Sequence, residues 1–99
     1  MPRLIVSAAA LADLKRLRAF LRAKNPRAAK EAGLAITEAL QGLIRYPEMG
    51  RLLEGGEDSL RELFIRFGGY GYMAKYRYRS GTAEAVIVLA IKHGREETY

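Results

Sequence analysis

Ten consecutive residues, Tyr70 to Arg79 (YGYMAKYRYR), alternate in chemistry with a period of two. Successive side chains of a β-strand point to opposite faces, so Tyr70, Tyr72, Ala74, Tyr76 and Tyr78 share one face while Met73, Lys75, Arg77 and Arg79 share the other. The aromatic face can pack against a core, and the basic face attracts anions. A strand of this kind predicts a small sheet that offers a cationic surface to nucleic acid or to an acidic protein.

The 99 residues, 49% of them apolar and 28% charged, are ordinary for a chain with one buried core, and a single domain over residues 1–99 is expected. There is no cysteine, so neither a disulfide nor a thiolate metal site can form. The N-terminal MPRLIVSAAALADLKRL lacks the layout of a secretion signal, and no apolar run reaches membrane-spanning length. A soluble cytoplasmic protein with no membrane partner is the expectation. The formal net charge is +6, distributed unevenly: residues 1–30 hold eight Lys or Arg against one Asp, and residues 31–60 hold two against six acids. Residues 61–99 hold seven against four. Such a field favours polyanionic partners and also serves solubility.

Ser7 is placed to cap a helix in which Leu11, Leu14, Leu17 and Leu21, with Phe20 beside them, recur at helical spacing, while Lys15, Arg18 and Arg22 form the opposite stripe. Asn25 followed by Pro26 ends this helix and opens a second, with Ala29, Ala32, Ile36, Ala39, Leu40 and Leu43 along one face and Pro47 as its stop. Two helices so closely joined predict an antiparallel hairpin. Residues 47–60, rich in Gly and acids, read as a loop. Strands are expected over residues 3–6, 61–67, 70–79 and 84–93, with Gly68-Gly69 as a hairpin turn. The order β-α-α-β-β-β describes an α+β fold: a helical hairpin packed on one face of a largely antiparallel four-stranded sheet. The tyrosines should face the helices and Lys75, Arg77 and Arg79 the open side.

In order and spacing, the segments ADLKRLRAFL, NPRAAKEAGLAI, LIRYPEMGR, RELFIRF, YMAKYRY and VIVLAIKHGRE resemble toxins of the RelE/ParE superfamily, the ParE side more closely. The resemblance implies a toxin of a type II toxin-antitoxin system, of plasmid-stabilisation type, neutralised by a cognate antitoxin. It implies DNA gyrase as the target, with ribosome-dependent cleavage of mRNA as the alternative activity and a non-toxic antitoxin-binding module as a third reading. No cofactor is implied, and one histidine with scattered carboxylates makes no metal cluster.

For gyrase, the target contacts would be Lys75, Arg77, Arg79 and Arg95; for the antitoxin, Arg18, Arg22, Arg61 and Arg77. RNA cleavage through the 2′-hydroxyl needs a base, cations on the phosphate and an acid for the leaving oxygen. Its candidates are His93 or Lys75 as base, Arg61, Arg77 and Arg95 on phosphate, and Tyr99 for stacking or proton donation. Structural roles stand beside these: Arg61 bridging Glu57 or Asp58, and His93 simply ending its strand. Two departures from the superfamily oppose cleavage. Residues 61–67 are dominated by Leu63, Phe64, Ile65 and Phe67; the ending HGREETY, with Glu96 where ParE-like tails carry a second arginine, weakens the C-terminal site for either activity.

Overall fold

The computed structural model describes residues 1–94. Its elements are β1 (Arg3–Val6), α1 (Ala8–Lys24), α2 (Pro26–Arg45), β2 (Arg51–Glu54), β3 (Asp58–Phe67), β4 (Tyr70–Arg79) and β5 (Ala85–His93). The sheet runs in the order β1-β5-β4-β3-β2, with β1 parallel to β5 and every other pairing antiparallel. The α+β class and the helical hairpin are as expected. The strand count is corrected from four to five, because β2 forms inside the stretch read as a loop and β3 starts at Asp58 rather than Arg61. Four residues without alternation carry no strand signal of their own; β2 exists because β3 offers it a partner.

Local chemistry fixes the hairpin. The Ser7 hydroxyl accepts the Ala10 N–H at 3.0 Å and donates to Leu89 O at 3.3 Å, so the start of α1 is tied to β5. Asn25, in extended conformation, serves both helices: its N–H closes α1 on Leu21 O, and its Oδ1 accepts from Arg27 N and Ala28 N to open α2. β1 ends opposite Val88, and among the described residues no strand pairs with the rest of β5 on that side. The Asp13 carboxylate of α1 accepts the Ile91 N–H there at 2.9 Å, and Lys92 and Arg16 lie within 4 Å of it. This satisfies a backbone donor that would otherwise be orphaned at the edge.

Tyr72, Ala74 and Tyr76 of β4 pack with Val86, Val88 and Ile91 of β5 against Leu17 of α1 and Ile36, Leu40 and Leu43 of α2, all essentially buried. The alternation in β4 therefore reads correctly. The leucine stripe of α1 reads correctly in part: Leu17 is buried with Ala10, and Leu14 and Leu21 pack against the core, while Leu11 (47% exposed) and Phe20 (58%) lie outside it. Five large residues span a wider arc than one helix face, and the small Ala10 brings α1 close to the sheet. Phe20 instead carries the Lys24 ammonium 4.6 Å above its ring. Between β3 and β4, Gly68 takes φ +62°, which suits the two-residue turn joining Phe67 to its partner Tyr70.

Candidate functional site

Register decides what the open sheet face presents. Across β3 and β4, Lys75 faces Glu62, Arg77 faces Leu60, Arg79 faces Asp58 and Met73 faces Phe64. Cross-strand partners share a face, so the basic residues do lie on the side away from the helices, but the acids of β3 lie among them. Arg79 Nε meets Asp58 Oδ1 at 3.2 Å, Arg77 Nη1 donates to Asp58 O at 2.9 Å, and Arg51 of β2 pairs with Glu62. The expected cationic face is thus partly neutralised, with Phe64 half-exposed upon it. The pairing of Asp58 with Arg77 and Arg79, and the place of Glu62 among the cations, could not be read because parity across strands matters only once the register is known.

Arg61 and His93 belong to the other face. Arg61 pairs with buried Tyr76, and its side chain is only 12% exposed. It donates from Nη1 to Glu48 O and Gly50 O, each at 3.0 Å, from Nε to Ser59 Oγ at 3.1 Å and from Nη2 to Glu48 Oε2 at 3.3 Å. Its acid partner is therefore Glu48, not Glu57 or Asp58. Beside it the Tyr76 hydroxyl donates to Pro47 O at 2.8 Å and accepts from Gly50 N at 2.9 Å. Together they clamp the turn between α2 and β2 onto the sheet.

His93 pairs with Tyr72 near the opposite end of β4, its ring 4.6 Å from that of Tyr70 and edge-on to Tyr72 at 5.7 Å. The candidate acid-base and phosphate-binding set is consequently divided, with His93 and Arg61 on the helix side and Lys75 and Arg77 on the open side, where Arg79 also lies. Arg95 and Tyr99 lie outside the described residues.

Burial pushes the Tyr72 phenol up to about 12, with Tyr70 adding to the shift, and among the described residues nothing stands in hydrogen-bond geometry to the Tyr72 hydroxyl. Because this folded-state value lies above the unfolded one, the contribution to stability is complete below about pH 10 and is lost as pH rises through about 12, roughly 2–3 kcal/mol in all. Tyr76, raised by burial, and Tyr78, raised by its bond to Glu84, titrate in the same direction. Tyr72→Phe is expected to match or exceed the wild-type urea midpoint at neutral pH and to lose less stability in alkali. An equal alkaline loss in both proteins would refute the assignment.

A third surface lies on the helical hairpin. Leu11, Leu14, Lys15 and Arg18 of α1 and Lys30, Gly33, Leu34 and Thr37 of α2 line a groove of about 360 Å³. Its apolar residues Leu11 and Leu34 are 47% and 57% exposed, and Lys15, Arg18 and Lys30 have no ion-pair partner among the described residues. Arg22 extends the Lys15–Arg18 stripe by one turn. Of the four arginines expected to meet an antitoxin, Arg18 and Arg22 belong to this surface; Arg61 is engaged in the turn clamp and Arg77 is on the open sheet face. A groove beside the hairpin is what two closely joined helices lead one to expect, but its lining could not be read because Leu11 counted as core and Leu34 belonged to no stripe.

Among the described residues no group of His, Asp or Glu could hold a metal ion, and no helix is long and apolar enough to cross a membrane. A family model described as the ParE toxin of the parDE type II toxin-antitoxin system matches residues 4–98. The chain is 32% identical over 84 residues to toxin RelE3 of Caulobacter vibrioides, covering 85% of each chain. It is 34% identical over 93 residues to toxin RelE1 of the same organism, covering 94% of each.

Proposed function

The chain belongs to the ParE toxin family of type II toxin-antitoxin systems, and from that premise we propose that it inhibits DNA gyrase in the cytoplasm, by binding, until a cognate antitoxin covers it. The observation that carries this reading is the division of the chemically capable residues between two sheet faces. A base at His93, its ring against Tyr70, cannot share a substrate phosphate with Arg77 on the reverse of the same strand pair, and the other candidate base, Lys75, shares the face of Arg77 but stands opposite the Glu62 carboxylate, whereas a binding surface needs no such convergence. The contacts offered to gyrase are Lys75, Arg77 and Arg79 on the open face, beside exposed Phe64. The groove on the helical hairpin, apolar within and basic at its rim, suits an acidic amphipathic segment of the antitoxin.

Ribosome-dependent mRNA cleavage is the second reading, favoured by relatives that carry the name RelE. One assay separates the two. Purified protein titrated into gyrase with relaxed plasmid should block supercoiling and accumulate cleaved DNA, and His93→Ala should leave that inhibition unchanged. No effect at large excess of folded protein, together with mRNA cleavage on ribosomes that His93→Ala abolishes, would overturn the gyrase reading.

A further inference from the structure

The outer edge of the sheet is β2, and all four of its residues are exposed, Leu52 at 51% and Leu53 at 40%. Tyr46 and Met49, in the clamped turn just before it, are exposed at 61% and 52%. Natural edge strands are commonly guarded by lysine, proline or inward-pointing charge; here two leucines occupy the middle of the edge. The strand reads Arg51-Leu52-Leu53-Glu54, so its charges are reversed end to end.

The register adds what the sequence alone lacks. Arg51 faces Glu62 and Glu54 faces Leu60, with the irregularity falling at Leu53. Glu62 and Leu60 are two apart on β3 and share a face, so Arg51 and Glu54 share a face as well, although in a regular strand residues three apart would point oppositely. Arg51 pairs with Glu62, while Glu54 has no ion-pair partner among the described residues.

We propose that β2 pairs antiparallel with β2 of a second copy of this chain about a two-fold axis. In this arrangement Arg51 stands opposite Glu54 of the partner subunit, and the reverse contact follows by symmetry. Leu52 meets its own counterpart at the axis, Leu53 packs beside it, and the two sheets become continuous. Each Arg51 then lies between two carboxylates, Glu62 of its own chain and the partner's Glu54. The interface is isologous because the strand is self-complementary in both charge and apolar content. A four-residue strand with two flanking apolar residues makes a small interface, so the dimer belongs to the weak class, with Kd on the order of 10–100 µM. The inference concerns self-association and does not depend on the gyrase reading.

Sedimentation equilibrium of the full chain from about 5 to 500 µM, a range set to bracket that Kd, tests it. Wild type should rise from the 11.1 kDa monomer towards twice that mass. Glu54→Arg should remain monomeric, since it sets arginine against arginine across the axis, and Leu53→Lys should do the same. Arg51→Glu should also be monomeric alone, yet an equimolar mixture with Glu54→Arg should form a heterodimer, because only the mixed pair restores both ion pairs. Circular dichroism of each variant confirms that it is folded. If Arg51→Glu, which faces Glu62, fails that check, the Glu54→Arg and Leu53→Lys results decide. A wild-type monomer at every concentration, or Glu54→Arg dimerising as tightly as wild type, overturns the proposal; so does a folded pair that does not associate on mixing.

Discussion

Gly50→Ala is expected to destabilise the protein by roughly 2–4 kcal/mol, combining an overpacking cost with hydrogen bonds that cannot be kept. A Cβ at Gly50 would stand 2.6 Å from the Tyr76 hydroxyl, 2.7 Å from its ring and 2.8 Å from the Glu62 carbonyl oxygen. Neither neighbour can retreat cheaply. The Tyr76 ring is fully buried and its hydroxyl is held by Pro47 O and Gly50 N, while the Glu62 backbone belongs to the sheet. The requirement is one of space, since Gly50 does not adopt a left-handed conformation. Relief would have to come from lifting the turn, which would pull Glu48 and Gly50 away from the partly buried Arg61 guanidinium. Gly55→Ala is the control: nothing lies within 4 Å of a Cβ there, and its effect should be near zero. Urea unfolding of the two variants measures the difference, and a Gly50→Ala midpoint equal to that of Gly55→Ala would show that the turn is not clamped.

The clamp was invisible in the sequence for a physical reason. Arg61 and Glu48 are thirteen residues apart, and several acids between Glu48 and Glu62 are equally available by distance along the chain; choosing among them requires knowing that Tyr76 pins Pro47 and Gly50. What could be read was local and periodic. The alternation in YGYMAKYRYR survives because a strand with one buried face tolerates no slip, and Asn25-Pro26 survives because capping depends on neighbouring residues alone. Register could not be read. It places Glu62 and Asp58 among the cations of β4, and it lets a short, patternless β2 exist at all. The division of Arg61 and His93 from Arg77 has the same origin: in a list of basic and acid-base residues they look like one site, and the parity of paired strands separates them.

The groove on the helical hairpin supports the largest functional effect. Arg18→Glu combined with Lys30→Glu should weaken antitoxin binding by roughly 30- to 1000-fold at low salt, because each reversal removes an attraction to an acidic partner and adds a repulsion. The loss should lie mainly in the association rate and shrink as salt is raised, since rim charges act through a screened field with a Debye length of about 8 Å at physiological ionic strength. Leu34→Asp, within the groove, should instead speed dissociation with little dependence on salt, because its contribution is apolar burial. Binding of the double-charge variant within a few-fold of wild type, with an unchanged salt slope, would remove the groove from the antitoxin interface. The residues offered to gyrase lie on the far side of the sheet from this groove, so the same variant should still block supercoiling. In cells it should then be toxic even where the antitoxin is made, an outcome that a general loss of folding could not produce.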